Sequence, residues 1–121
     1  MTNRSEQLTE LLNYLDQSLK DHRYHFDNVH LKDKEKQDFL HALELEELSY
    51  HEGARLAIKI SKSRRERRDS KDAVEVLEPL VEYLESKDGA RSLNQLKHVL
   101  GKMRQKEKNQ QTRTYNKRVE D

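Results

Sequence analysis

The chain has 121 residues, of which 39% are charged and 32% hydrophobic, and its formal net charge is +1. One proline, three glycines and no tryptophan argue against an all-β or loop-rich fold, because such folds need turn residues at every reversal. The lack of cysteine excludes disulfides and thiol catalysis and fits a reducing compartment. No apolar run reaches membrane-spanning length and the N-terminus lacks a signal-peptide core, so we expect a cytoplasmic protein without a membrane partner.

The first predicted helix is amphipathic. It begins at Asn3, with Glu6 as a capping-box partner, and ends near residue 27, where Asp27-Asn28 offers a stop. Residues 28–32 are then a short connection. The apolar stripe has helical spacing and consists of Leu8, Leu11, Leu12, Leu15 and Leu19.

A second helix is predicted from Asp33 to Leu48. Ser49 followed by Glu52 is a capping box, and Gly53 behind it favours a tight reversal between two helices. A helix that continues through residue 49 is the alternative. The apolar side of this second helix is formed by Phe39, Leu40, Ala42, Leu43, Leu45 and Leu48.

From Tyr50 to about Ser86 only Pro79 opposes a helix, and it predicts a kink or restart near 78–79. The spacing of apolar residues alternates between four and three, which is typical of a coiled-coil seam. The same register falls on Ser63, Arg67 and Ser70, so the seam is interrupted there. Its apolar members are Leu56, Ile60, Val74, Leu77, Val81 and Leu84.

Asp88-Gly89 predicts a turn with glycine in the left-handed region, and Ser92 with Gln95 opens a fourth helix. We expect an all-α fold: an elongated antiparallel helical bundle or coiled-coil hairpin with one long kinked helix and a partly disordered C-terminal tail. The predicted domains are a single helical domain at 1–111 and a flexible basic tail at 112–121. The fourth helix carries Leu93, Leu96, Val99, Leu100 and Met103.

Charge is arranged in blocks of alternating sign. Residues 38–52 carry net −5, 55–71 net +6, 72–88 net −5 and 91–118 net +8. Such blocks allow antiparallel helices to neutralise one another, and a block without a partner remains a binding surface.

A reversal at Gly89 pairs the acidic block 72–88 with 91–108, and a reversal at Ser49 sets the arginine cluster at 64–68 opposite 30–34. Lys32, Asp33 and Lys34 do not balance four arginines. We therefore expect an unneutralised basic surface from two converging elements. Its predicted residues are Arg64, Arg65, Arg67, Arg68, Lys71, Arg104, Lys106 and Lys108.

Three interpretations of this surface are open. The first is a solvated helix face in which Glu66 and Asp69 are local partners of the arginines. The second is binding of DNA or RNA through phosphates, which arginine contacts bidentately. The third is docking on an acidic surface of a host protein, with a homodimer formed along the seam as its simplest form.

Enzyme and metal sites find weaker support. Glu44-x-x-Glu47 with Glu66-x-x-Asp69 resembles the paired carboxylates of MazG-type all-α nucleotide pyrophosphohydrolases, but arginines flank the second pair where that family has apolar residues. Asp38-x-x-His41 has the spacing of a carboxylate–histidine metal pair, and no second acidic pair accompanies it. We expect no enzyme activity and no cofactor.

The whole-chain pattern from about residue 8 to 119 resembles small uncharacterised helical proteins of phages and prophages of Gram-positive bacteria. The resemblance implies an accessory protein without known catalysis and supplies no site residues. The motifs that carry it are Phe39-Leu40-His41-Ala42-Leu43-Glu44-Leu45, Arg64 to Arg68 followed by Lys71-Asp72, Leu100-Gly101-Lys102-Met103-Arg104, Arg113-Thr114-Tyr115 and Arg118-Val119.

Overall fold

The computed structural model describes residues 3–112 and contains three α-helices, α1 (Arg4–Leu45), α2 (Tyr50–Glu85) and α3 (Lys87–Gln111). No residue in this range lies in a β-strand, which confirms the all-α prediction. None of the helices in the described part has the length and apolar character needed to cross a bilayer. Apart from Thr112, the predicted tail lies outside the described residues.

Helix α1 is continuous over 42 residues, so the predicted stop at Asp27-Asn28 and the connection at 28–32 are wrong. Asp27 lies one turn after Arg23 and forms an ion pair with it at 3.6 Å, which supports the helix locally. The Asn28 side chain donates a hydrogen bond to Ser70 Oγ on α2 at 2.8 Å. Asparagine is usually found at helix ends, and this tertiary contact stabilises Asn28 in the interior of the helix.

The connection between α1 and α2 is short and capped as predicted. Residues 46–49 are not helical, so the alternative of one helix through residue 49 is wrong. Ser49 Oγ accepts a hydrogen bond from the Glu52 backbone N–H at 3.2 Å, which satisfies one of the free donors at the start of α2.

Helix α2 contains Pro79 in its interior and runs unbroken from Tyr50 to Glu85, so no new helix starts near 78–79. Proline removes one backbone donor, and packing on both sides of it stabilises the helix against that loss. Glu78 contacts His22 of α1 at 2.7 Å, and Val81 is 3% exposed. A bend at Pro79 stays a prediction.

Helix α3 begins earlier than predicted, and the cap is Ser86 rather than Ser92. Ser86 Oγ accepts from the Gly89 backbone N–H at 3.0 Å and donates to the Tyr83 carbonyl at 2.5 Å. No described residue has a positive φ, so the left-handed turn expected at Gly89 is wrong. Gly89 is required for close approach instead, because a Cβ built there would lie 1.7 Å from the Tyr83 carbonyl oxygen.

The chain forms two compact units. One consists of Gln17–Glu82, and the described part of the other is residues 3–16 and 83–112. In the first, which we call the hairpin unit, α1 and α2 are antiparallel. As the α1 residue number rises from 22 to 35, the number of its α2 partner falls from 78 to 63.

In the second unit, which we call the terminal unit, α3 packs against the start of α1. Arg104 Nη2 donates to Thr9 Oγ1 at 2.9 Å, and the Ser5 hydroxyl and backbone N–H donate to the Glu107 carboxylate. This part of α3 thus contacts α1, a partner that sequence reasoning did not propose. The pairing of the acidic block 72–88 with 91–108 stays a prediction. Sequence periodicity alone does not show whether α3 packs against the apolar face of α1 or that of α2, and the observed contacts are with α1.

Burial is sparse in the described part of the chain. The buried apolar side chains are Leu12, Val81, Leu84 and Leu100, and four serines at positions 5, 18, 63 and 70 are equally buried. Serine is small and places a hydroxyl between helices, so these positions allow close approach and require hydrogen-bond partners.

Replacing Gly89 by alanine is expected to destabilise the protein by about 1–3 kcal/mol, because the added methyl group collides with backbone that does not rotate away. Thermal and urea unfolding followed by circular dichroism measures the change.

Gly101→Ala is the matched control, since Gly101 also lies within α3 and nothing lies within 4 Å of a Cβ built there. This variant is expected to be more stable by about 0.5–1 kcal/mol, through helix propensity alone. Equal effects of the two substitutions would contradict a steric role for Gly89.

Candidate nucleic-acid interface

The interruption of the apolar seam is filled by polar contacts from α1. Ser70, which is 3% exposed, accepts a hydrogen bond from Asn28 Nδ2 at 2.8 Å, and its Oγ lies 3.0 Å from His25 Nδ1. Buried hydroxyls are stable only when paired, so these α1 side chains are what allows serine at this seam position.

One turn further along α1, a lysine joins the two helices. Lys32 Nζ lies 2.6 Å from a carboxylate oxygen of Glu66 and 3.2 Å from one of Glu35, and its side chain is 13% exposed. Glu35 also accepts a hydrogen bond from the buried Ser63 hydroxyl at 3.0 Å. The exposed Lys62 lies 3.8 Å from the other oxygen of Glu66.

These contacts shift two pKa values in opposite directions. The hydrogen bond from Lys32 holds the pKa of Glu66 below its usual 4.5, and partial desolvation opposes this. The hydrogen bond to Glu66 raises the pKa of Lys32 above 10.5, again against desolvation, with a further contribution from Glu35. Both groups are therefore charged across the neutral range.

Arg67 occupies the remaining seam position and turns toward α1. Its Nε donates to Asp33 Oδ1 at 2.7 Å. Glu66, expected to be a local partner of the arginines, pairs with Lys32 and Lys62 instead. We call these polar contacts between α1 and α2 at residues 63–70 the polar seam. Because Glu66 is paired within it, this carboxylate offsets less of the charge of the basic cluster, although the charge of Arg65 still contributes to lowering the pKa of Glu66.

The other arginines line an open groove on one flank of the hairpin unit, with a volume of about 780 Å³. Five cationic side chains surround a single carboxylate, Asp33, whose Oδ1 is already bonded to Arg67. Arg64 forms no ion pair with any residue between 3 and 112. We call this the basic groove, and its lining residues are Asp33, Lys36, Ala57, Ile60, Ser61, Arg64, Arg65, Arg67 and Arg68.

The predicted site residues are divided between the two units. Arg64, Arg65, Arg67 and Arg68 line the basic groove, and Lys71 is exposed on the same helix, one turn beyond. Arg68 also lies 3.7 Å from Asp72 in an exposed ion pair, which has little energetic weight.

Arg104, Lys106 and Lys108 are exposed on α3 in the terminal unit, and Arg104 is bonded to Thr9. Convergence of these three cations with the arginines of α2 stays a prediction. Sequence reasoning missed Lys36, which the antiparallel register places two residues beyond the 30–34 segment that was considered.

The carboxylates considered for a nucleotide pyrophosphohydrolase do not meet in one place. By the hairpin register, Glu44 lies near the level of residue 54 of α2, whereas Glu66 lies beside Lys32. That separation along the helix is about 18 Å. Asp38 and His41 are both exposed, and no group of three potential metal ligands was found in the described part of the chain.

Comparison of the chain with protein-family models, with curated proteins and with solved structures found no match. The resemblance to small helical phage proteins therefore stays a prediction. Its two C-terminal motifs, Arg113-Thr114-Tyr115 and Arg118-Val119, lie outside the described residues.

Replacing Glu66 by glutamine is expected to destabilise the protein at pH 7 and to have a smaller effect at pH 3. A carboxylate whose folded pKa is lowered stabilises the fold above its unfolded pKa of about 4.5 and loses that contribution as the pH falls through the folded value. Urea unfolding of both proteins between pH 3 and 7 measures the difference.

Glu75→Gln, an exposed position on the same helix, provides the control and should behave like the unmodified protein at every pH. A deficit of Glu66→Gln that is equally large at pH 3 would show that the carboxylate acts by packing rather than by charge.

Proposed function

We propose that the protein is a non-enzymatic, phage-type accessory protein that binds nucleic acid through the phosphates of its backbone, using the basic groove of the hairpin unit. The observation that carries this proposal is the local charge imbalance: five cations line the groove with one carboxylate, and that carboxylate is bonded to Arg67. Arg64, Arg65 and Arg68 are exposed to an external anion.

The spacing of these cations suits a polyanion. Arg64 and Arg68 are one helical turn apart, and Lys71 follows within the next turn, so the cationic face extends over about 10 Å of helix axis. A duplex carries one negative charge per about 1.7 Å of its axis, which sets about six phosphates against this length. Guanidinium groups contact phosphate oxygens in bidentate fashion.

The chemistry of the groove favours contact with the backbone over recognition of bases. None of its lining residues is aromatic, so stacking on bases has no platform there. Phosphate contacts orient a protein on nucleic acid without selecting sequence. The proposal therefore covers DNA and RNA and implies weak dependence on base composition.

A second function, that of a protein-binding adaptor acting through coiled-coil surfaces, is supported by a different observation. Large apolar side chains are exposed near the α1–α2 connection, among them Leu40, Leu43 and Leu45 at 44%, 48% and 79% exposure. Apolar side chains grouped at one end of a hairpin are typical of surfaces that another protein covers.

Reversing the charge of Arg64, Arg65 and Arg68 together (each to Glu) is expected to lower the affinity for a short fluorescent DNA or RNA duplex at least tenfold. Each lost phosphate contact removes about 0.9 from the salt dependence of binding to duplex DNA, so the slope should fall by about 2–3. Fluorescence anisotropy between 50 and 300 mM salt measures both quantities.

The matched control changes Arg91, Lys97 and Lys102 to Glu, which alters the net charge equally at exposed positions of α3 that do not line the basic groove. It should retain most of the affinity and slope that the arginine variant loses. Absence of salt-sensitive binding by the unmodified protein, or equal loss in the two variants, would overturn the proposal.

A further inference from the structure

The hairpin unit buries few of its apolar side chains completely. Val81 is the single buried apolar side chain within Gln17–Glu82, whereas Leu40, Leu43 and Ile58 are 44%, 48% and 67% exposed. Two helices that bury so little against each other gain little free energy from the hydrophobic effect.

Part of this surface continues the basic groove toward the α1–α2 connection. Lys36 lines the groove, and Leu40 and Leu43 follow it by four and seven residues, so all three share one face of α1. On α2, Ala57 lines the same groove and Ala54 precedes it by one turn. We call this apolar extension, formed by Leu40, Leu43, Ala54, Ala57 and Ile60, the apolar flank.

The end of the hairpin is strongly acidic. Residues 44–52 contain Glu44, Glu46, Glu47 and Glu52 and no lysine or arginine. None of these four side chains forms an ion pair with another residue of the 3–112 segment. Arg64 lies fifteen residues after Ser49, about 22 Å along α2, so the arginines of the same helix do not reach the acidic end.

We propose that a second copy of this chain covers the apolar flank in an isologous, antiparallel pairing of the two hairpin units. Tyr50 and Arg64 each lie seven residues from Ala57. A twofold axis through the level of Ala57 therefore sets the acidic end of one copy beside the arginines of the other, and the symmetry produces this charge pairing twice. Leucines pack against alanines between the two charged regions.

This pairing uses the basic groove in a second way, and the inference does not rest on the proposed function. The acidic end of one copy and the phosphates of a nucleic acid require the same guanidinium groups of Arg64, Arg65 and Arg68. Self-association and nucleic-acid binding are therefore mutually exclusive at this groove.

The test uses two charge-reversed full-length proteins. One, the acidic-end variant, carries Glu44→Lys, Glu46→Lys and Glu47→Lys, and the other carries the arginine substitutions Arg64→Glu, Arg65→Glu and Arg68→Glu. Sedimentation velocity and light scattering should show a dimer for the unmodified protein and a monomer for each variant alone. An equimolar mixture should restore the dimer, because both pairings in the mixed species then join opposite charges.

A monomeric unmodified protein at all concentrations up to 100 μM, a dimer formed by either variant alone, or a monomeric mixture would overturn the inference. Assembly of the mixture also shows that both variants are folded. The acidic-end variant retains every groove arginine, so it should bind a nucleic acid at least as tightly as the unmodified protein if the proposed function is correct. The acidic-end variant thus tests dimerisation without removing the residues proposed to bind nucleic acid.

The apolar contribution has its own matched pair of variants. Leu40→Ser with Leu43→Ser should weaken the dimer at least tenfold, because both side chains lie in the apolar flank. Leu31→Ser with Val76→Ser removes apolar side chains outside it that are more exposed, at 52% and 79%, and should leave the dimer intact. Equal weakening by both pairs would place the dimer contact elsewhere.

Discussion

The hydrogen-bonded polar seam between α1 and α2 determines much of the remaining structure. Beside the heptad positions, Lys32 joins Glu35 to Glu66. Within them, Ser63 donates a hydrogen bond to Glu35 and Ser70 accepts one from Asn28, at two positions where a coiled coil usually carries leucine. Such contacts add little net stability compared with apolar packing, but a buried polar group without its partner is costly. A register shift between the helices would separate these partners, so the seam selects one alignment of the hairpin.

The same alignment decides which charges face outward. Glu66 turns toward Lys32, and Arg67 turns toward Asp33. The other three arginines of the cluster therefore lie on one flank, where the exposed pair of Arg68 with Asp72 is their only ion pair within residues 3–112. The basic groove thus results from the way in which Glu66 and Arg67 pair with α1. The local sequence predicts the opposite, since Glu66 lies among four arginines and is adjacent in sequence to two of them.

The sequence predicted features that depend on neighbouring residues. The heptad positions of α2, the Ser49 cap and the setting of Arg67 opposite the 30–34 segment follow from spacing alone, and the structure has them. Within the continuous helix α1, Asn28 bonds to a residue 42 positions away, a contact that no local pattern contains. The packing of α3 against Thr9 involves a separation of 95 residues and was missed for the same reason.

Helix α1 belongs to both compact units, and this has a consequence for synthesis on the ribosome. The hairpin unit is contiguous in sequence and has all of its residues once position 82 has emerged. The terminal unit joins residues 5 and 9 to α3, so these contacts wait until residues 104–107 have been translated. During that interval the first turns of α1 lack their partner, and the N-terminal leucines are exposed to chaperones while the hairpin is already able to fold.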